Sequence, residues 1–161
     1  MATPVVHGSF SLERHFDAPP SRVFQAFADP AQKSRWFQGP PEWGQDEQTL
    51  DFRVGGRETS VGGPPGGPLI AMAGTYVDIV PDERIITTYE MAADGVRISV
   101  SLATFELVPE DGGTRLFLTE HGAYLDGVEG EEANAGRRRG TADLLDQLAA
   151  YLASEVAPAA S

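Results

Sequence analysis

The chain begins with a stretch in which every second residue belongs to one face of a strand. Phe10, Leu12, Arg14 and Phe16 alternate with small or polar residues, and a period of two is typical of a half-buried β-strand. A pair of prolines follows, and the fixed φ of proline suits the first turn of a helix. We therefore predict a first strand that ends at Phe16.

Two short helices are predicted directly after this strand. The apolar residues of segment 20–28 are three and four positions apart, which is the spacing of one helical face. An Asp-Pro pair at residues 29–30 then resembles the start of a new helix, with Asp at the cap and Pro at the first helical position. The second helix should end near Trp36.

The sequence pattern in the middle of the chain predicts six further strands. Glycine pairs and Asp-Gly pairs lie between several of these segments, and such pairs are typical of tight hairpin turns. Consecutive strands joined by short turns form an antiparallel meander. Ile98, Val100 and Leu102 share one face of their strand. The six predicted strands cover about residues 49–54, 57–61, 70–80, 84–91, 96–108 and 114–121.

The sequence pattern at the end of the chain predicts one long helix. Leu145, Leu148 and Leu152 are spaced as an apolar stripe, so the helix should cover about residues 131–155, with a frayed tail at 156–161. An antiparallel sheet with one apolar face needs a cover, and this helix is the only predicted element large enough. The fold class is therefore α+β, in which a curved antiparallel sheet surrounds a long C-terminal helix. A cavity between the two is the default binding site.

Two glycines inside the predicted long helix need an explanation, because glycine costs about 1 kcal/mol in a helix interior. Gly136 and Gly140 lie four residues apart, on one helical face. A close approach to the sheet and room for a ligand are two explanations. A later helix start, near Thr141, is the third.

Composition and charge restrict the possible partners. The chain has 161 residues, the length of one domain, and we place the core at about residues 9–155. Its net charge of −12 repels nucleic acid and anionic membranes. No apolar run is long enough to span a membrane, no signal peptide is recognised and there is no cysteine, so we expect a cytoplasmic protein without membrane insertion. The three histidines lack ligand spacing, so no metal site or cofactor is expected.

Several short motifs occur in a fixed order along the chain: Phe16-Asp17-Ala18-Pro19, Val23-Phe24, Asp29-Pro30, Arg35-Trp36-Phe37, Gly55-Gly56-Arg57, Ile79 to Ile85 and Gly113-Thr114-Arg115-Leu116. Together they resemble the START-like or SRPBCC superfamily, and its branch named after the activator of heat shock protein 90 ATPase. The resemblance covers about residues 10–152 and implies a helix-grip fold. It also implies a choice among lipid carriers, polyketide cyclases, hydrolase-like enzymes and co-chaperones. The chain differs from the commoner pattern at Thr141, where many members have a tryptophan.

Two charged residues are predicted to face the core. Arg14 shares its strand face with apolar residues, and Glu120 shares its face with Leu116 and Leu118. The resemblance implies that the first and last strands are neighbours, and a buried charge needs a partner. We therefore expect Arg14 and Glu120 to form an ion pair. The pair would be a structural element, a polar anchor for a ligand or, as a third alternative, an acid–base group.

The remaining candidate ligand contacts are aromatic or apolar. Trp36 and Phe37 are interpreted as a hydrophobic plug at the end of the sheet or as a gate over the cavity. Three tyrosines are either cavity walls or packing on the sheet, and the resemblance places the last of them on the loop before the long helix. The remaining candidates are Tyr76, Tyr89, Tyr124, Leu145 and Leu148. Apart from these candidates, the basic run Arg137-Arg138-Arg139 is interpreted as offsetting nearby acids or as contacting an anion or a partner.

Three functions remain open from the sequence. The first is the binding of a small apolar, lipid-like molecule in an internal cavity. The second is a chaperone-linked or other protein-interaction module, with a protein partner or a homodimer. The third is a polyketide-cyclase-like or hydrolase-like enzyme, for which no catalytic motif is recognised. The volume of the cavity separates the first from the second, because a filled interior would favour a partner-binding role.

Overall fold

One antiparallel sheet of seven strands forms the main layer of this computed structural model, which describes residues 4–125 and 130–154. The strands follow one another along the chain and are joined mostly by tight turns, so each pairs with its neighbour by local connections. The predicted antiparallel meander is confirmed. The strands are β1 (Val6–Phe16), β2 (Glu47–Leu50), β3 (Arg57–Gly62), β4 (Ile70–Val80), β5 (Arg84–Ala93), β6 (Val96–Glu110) and β7 (Gly113–Tyr124).

The first strand of the chain pairs with the last strand in the sheet. Its order is β1-β7-β6-β5-β4-β3-β2, so β1 and β2 form the two edges. Along the pair of β1 and β7, Phe10 lies opposite Glu120 and Arg14 lies opposite Leu116. Directly opposite residues share one face of an antiparallel sheet, so this register fixes which side chains of β7 point at the core.

The helices follow the predicted order. Helix α1 (Pro20–Ala28) and helix α2 (Pro30–Trp36) come directly after β1, and the long helix α3 (Gly130–Ser154) ends the described chain. Asp29 caps α2, because its carboxylate accepts a hydrogen bond of 3.0 Å from the backbone N–H of Ala31. This element order is the helix-grip arrangement.

The core lies where α3 packs against the β1 and β7 side of the concave sheet face. Leu145, Leu148 and Leu152 are buried there, together with Leu116 and Leu118 of β7. The predicted apolar stripe of the long helix is therefore confirmed. Within the described residues, no helix is both long and apolar enough to cross a membrane.

The first hairpin differs from its prediction. Strand β2 ends at Leu50, four residues before the predicted end. The reason is non-local: the backbone N–H of Gly55 bonds to the carbonyl of Tyr76, and the N–H of Tyr76 bonds to the carbonyl of Gly56. The loop therefore pairs with β4 instead of extending β2. Gly55 has a φ of +82°, which is open to glycine at little cost.

The first half of β6 has its apolar residues on the outside. Val100 and Leu102 point to the convex face, where they are 44% and 40% exposed. Ser99 and Ser101 point to the concave face and are buried. The shared face that the sequence indicated for Val100 and Leu102 is therefore the outer one, and the inner positions are polar.

Helix α3 begins at Gly130, so a late start near Thr141 is not the reason for the two glycines. A side-chain carbon placed on Gly140 would have no atom within 4 Å. Close approach to the sheet is therefore also not the reason at Gly140, and this position faces open space. The predicted tail at 156–161 lies outside the described residues.

Replacing Leu148 with Ala should lower the free energy of unfolding by about 2–5 kcal/mol, because the side chain is fully buried and its removal leaves a cavity. Urea-induced unfolding followed by circular dichroism measures this change. Leu69→Ala is the matched control, since Leu69 is 55% exposed and should lose at most about 1 kcal/mol. Equal losses in the two variants would contradict the assignment of Leu148 to the core.

Candidate functional site

A pocket of about 770 Å³ lies between the sheet and the helices. Its floor is the concave face of β3 to β7, and its walls come from α2, from α3 and from the loop after α2. It opens here because α3 packs on the β1 and β7 side of the sheet and leaves the inner face of the middle strands uncovered. Most of the lining is apolar, and several aromatic rings contribute to it. Gly140 of α3 is among the lining residues, so the open space beside it belongs to this pocket.

A buried acid at the inner end of the pocket is held by two partners. Glu120 of β7 is 3% exposed. Its Oε2 accepts a hydrogen bond of 2.8 Å from the hydroxyl of Tyr89 on β5 and lies 3.8 Å from Nη1 of Arg137 on α3. Arg137 Nη1 also donates to the hydroxyl of Tyr89, at 3.0 Å. The three side chains thus link two strands to the long helix.

Arg137 is held in place by the polar inner face of β6. It donates hydrogen bonds to the hydroxyls of Ser99, at 2.8 Å, and Ser101, at 3.3 Å. Its guanidinium carbon also lies 5.6 Å from the ring centroids of Tyr89 and Tyr124, within the range of a cation–π contact. The serines therefore supply acceptors that a strand with apolar inner residues would lack.

The surroundings of Glu120 change its ionisation. Burial raises the pKa of Glu120, and the hydrogen bond from Tyr89 and the charge of Arg137 offset part of that effect. Burial, followed by the charge of Glu120, raises the pKa of the Tyr89 hydroxyl. Tyr89 therefore stays a neutral donor, and the carboxyl group of Glu120 holds its proton more readily than an exposed glutamate does.

A second acid lines the pocket from β3. Glu58 is 8% exposed. Its carboxylate accepts hydrogen bonds from Lys33 Nζ on α2 and from the hydroxyl of Tyr76 on β4, the latter at 2.9 Å. Burial, followed by the charge of Glu58, raises the pKa of Tyr76. The pocket therefore contains two similar clusters, each made of one acid, one base and one tyrosine.

A third acid, Asp46, contributes to the pocket from the loop before β2. Its Oδ2 accepts a hydrogen bond of 3.3 Å from the Ser60 hydroxyl. Its Oδ1 is buried and has no hydrogen-bond partner among the residues that the structure describes. Among all the residues that the structure describes, no three His, Cys, Asp or Glu side chains lie together as possible metal ligands.

Six of the nine residues predicted as ligand contacts line the pocket. Trp36 is also part of the core, and its indole N–H donates to the carbonyl of Ala26 at 2.9 Å. Leu148 is fully buried and does not line the pocket. Tyr124, predicted on a loop, is the last residue of β7, is buried and bonds to Asn134 of α3. The six lining residues are Trp36, Phe37, Tyr76, Tyr89, Glu120 and Leu145.

The predicted ion pair between Arg14 and Glu120 is wrong. Both side chains lie on the concave face, as their strand positions indicated, but Arg14 is paired with Leu116, four residues away from Glu120 along β7. At about 3.4 Å per residue this offset is about 14 Å. Arg14 instead lies 3.4 Å from the carboxylate of Asp146 and is outside the pocket lining. Arg137 takes the place that the prediction gave to Arg14.

Sequence reasoning missed the bases of both clusters. Arg137 precedes Leu148 by eleven residues, which is three helical turns plus about 20° at 100° per residue. It therefore belongs to the same stripe as the buried leucines. Lys33 precedes Trp36 and Phe37 by three and four residues, which places it on their face of α2. Glu58 carried no comparable signal, because polar residues surround it along β3.

Comparison with known proteins gives consistent matches over nearly the whole chain. A family model described as Activator of Hsp90 ATPase homolog 1-like protein matches residues 17–153. A solved structure of an uncharacterized protein from Rhizobium leguminosarum is 40% identical, with a TM-score of 0.88 and coverage of 94% of this chain and 98% of that chain. The Mll3558 protein from Rhizobium loti is 44% identical, with a TM-score of 0.83 and coverage of 92% and 99%.

A more distant solved structure, protein CV1439 from Chromobacterium violaceum, is 28% identical, with a TM-score of 0.73 and coverage of 89% of this chain and 96% of that chain. A search of curated proteins found no match. The matched structures therefore support the fold.

Replacing Arg137 with Met should lower the free energy of unfolding by about 3–5 kcal/mol at neutral pH, because the buried carboxyl group of Glu120 loses its charged partner. The loss should be smaller in a Glu120→Gln background, where no charge remains to be paired. Denaturant unfolding of the four proteins measures this coupling. Arg14→Met is the control and should cost the same in both backgrounds. Additive effects of Arg137→Met and Glu120→Gln would contradict the pair.

The stability of the wild-type protein relative to Glu120→Gln should fall as the pH rises. The pKa of Glu120 is higher in the folded protein than in the unfolded chain. Its contribution to stability is therefore fully present below about pH 4 and is lost as the pH rises through the raised pKa of the folded state. Urea unfolding at a series of pH values measures the difference. Glu106→Gln, at an exposed position on neighbouring β6, controls for the change in net charge. A difference that stays constant or increases with pH would contradict the assignment.

Proposed function

We propose that this chain, which belongs to the Activator of Hsp90 ATPase homolog 1-like family, binds a small and largely apolar molecule in the pocket between its sheet and α3. The observation that carries the proposal is the pocket itself. Its volume of about 770 Å³ is within the range of about 300–1,000 Å³ that is usual for small-molecule sites. Mostly apolar walls with a few fixed polar groups are also typical of such sites.

The arrangement of side chains supports a site that is formed before the ligand arrives. Tyr89 and Arg137 hold Glu120, and Tyr76 and Lys33 hold Glu58. Polar groups fixed in this way need no large rearrangement on binding, which lowers the entropic cost of association. Apolar walls supply affinity in proportion to the ligand surface they remove from water.

A protein-interaction module is the second candidate function. The observation that favours it is the exposed apolar surface of β6, where Val100, Leu102 and Val108 are 40–45% exposed. Apolar residues grouped on a sheet face are a recurrent feature of protein contacts. Self-association of the purified chain, measured by sedimentation velocity against Leu102→Lys, tests the homodimer form of this candidate. A monomer at every concentration would count against that form.

The binding proposal predicts opposite results for two neighbouring residues of β6. Ala103→Phe should fill the pocket, because Ala103 is 2% exposed and lines it, and should weaken binding of the neutral dye Nile red by about tenfold or more. Leu102→Phe is the matched control, since Leu102 points to the outer face, and should leave the affinity within about twofold. Dye fluorescence measures both, and circular dichroism checks that both variants are folded.

Absence of dye binding to the wild-type protein, or equal affinity in the two variants, would contradict the pocket as the binding site. A larger effect of Leu102→Phe than of Ala103→Phe would instead favour a site on the outer face of β6. The two substitutions add phenyl rings to adjacent positions of one strand, so a difference between them reports the face and not the added bulk.

A further inference from the structure

We propose that the molecule bound in this pocket carries a protonated amine, and that this amine contacts the carboxyl group of Glu120. The inference rests on the proposed binding function and narrows it to a class of ligand: an apolar body with one cationic head group. Three features of the described residues lead to it, and each concerns a different part of the pocket.

The first feature is that the two cations of the described lining are already paired inside the protein. Lys33 is bonded to Glu58. Arg137 is bonded to Tyr89 and to the two serines of β6, and lies beside Glu120. An anionic ligand would have to compete with a buried acid for one of these cations, and separating a buried charge from its partner is costly.

The second feature is the excess of acids around the pocket. Five carboxyl groups line it against the two cations. One of the five, Asp146, is paired with Arg14 outside the lining, which leaves an excess of two acids. A cleft lined by one sign of charge favours ligands of the opposite sign. The acids are Asp46, Glu58, Glu120, Asp143 and Asp146.

The third feature is an unused acceptor at the inner end of the pocket. The partners of Glu120 contact Oε2, whereas Oε1 accepts no hydrogen bond from residues 4–125 and 130–154. Each carboxylate oxygen can accept about two hydrogen bonds, so Oε1 is open to a donor that enters the pocket. A protonated amine at Oε1 would supply a charge-assisted hydrogen bond there.

The walls of the pocket are also suited to a cation. The ammonium group of Lys33 lies 4.5 Å from the ring centroid of Phe37, which shows that a cation is already placed over an aromatic ring of this lining. Near the loop before β2, Asp46 Oδ1 is a second acceptor without a donor among the described residues. An amine therefore meets acceptors and aromatic faces here, whereas an anion meets no unpaired cation among the described lining residues.

The test uses three probes that share one alkyl chain and differ in the head group: decylamine, decanol and decanoate. Titration calorimetry on the full chain at neutral pH, below the concentrations at which these probes form micelles, measures each affinity. We expect decylamine to bind about tenfold more tightly than decanol, as for one charge-assisted hydrogen bond, and decanoate to bind most weakly.

Glu120→Gln identifies the contact, because it keeps the shape of the side chain and removes its negative charge. Decylamine should lose about tenfold in affinity in this variant, whereas decanol should stay within about twofold. Glu106→Gln, on the outer face of β6, makes the same change in net charge away from the pocket and should affect neither probe. Should Glu120→Gln fail to fold, the comparison of the three probes on the wild-type protein still decides the ligand class.

The outcomes separate the two proposals. Binding of decanol as tight as or tighter than that of decylamine overturns the amine inference and leaves the proposed binding function in place. An amine preference that persists in Glu120→Gln overturns the contact with Glu120. If none of the three probes binds, both the amine inference and the binding of apolar molecules in this pocket are wrong.

Discussion

The burial of one carboxyl group determines much of the inner half of this fold. Glu120 points from β7 into a largely apolar space, where an unpaired charge would cost several kcal/mol. Tyr89 from β5 and Arg137 from α3 meet that requirement. Arg137 then needs acceptors of its own, which Ser99 and Ser101 provide. The polar inner face of β6 therefore follows from the acid on β7, and so does the outward direction of the apolar residues beside the serines.

Most of the fold could be predicted from the sequence because its signals are local. The Asp-Pro pair at residues 29–30 encodes the start of α2, since the cap and the proline act within one turn. The alternation in β1 and the stripe of leucines in α3 are equally local. The end of β2 was mispredicted for the opposite reason: Gly55 bonds to Tyr76, about twenty residues away, and no pattern within segment 49–54 records that contact.

The site was predicted less well because it depends on register and on the choice of partner. The alternation of side chains along each strand gave the correct face for Arg14 and Glu120. A shift of four residues leaves that alternation unchanged, so it does not determine which residues meet across the strands. The true partner, Arg137, carried a usable signal in its phase with the buried leucines. Its two arginine neighbours concealed that signal by resembling a solvated basic run. Glu58 and Lys33 come together only through the packing of α2 on the sheet, which the sequence does not state.

The long helix is attached to the sheet by two kinds of interaction along its length. Asn134 and Arg137 fasten the first half through hydrogen bonds to the sheet. The second half depends mainly on the buried Leu145, Leu148 and Leu152, with one exposed contact between Asp146 and Arg14. Apolar attraction weakens on cooling, and hydrogen bonding does not weaken in the same way. Temperature therefore alters the balance between the two ends of α3 while every contact stays the same. In the cold the hydrogen-bonded end that borders the pocket becomes the relatively firmer attachment, and in the warm the leucine end does.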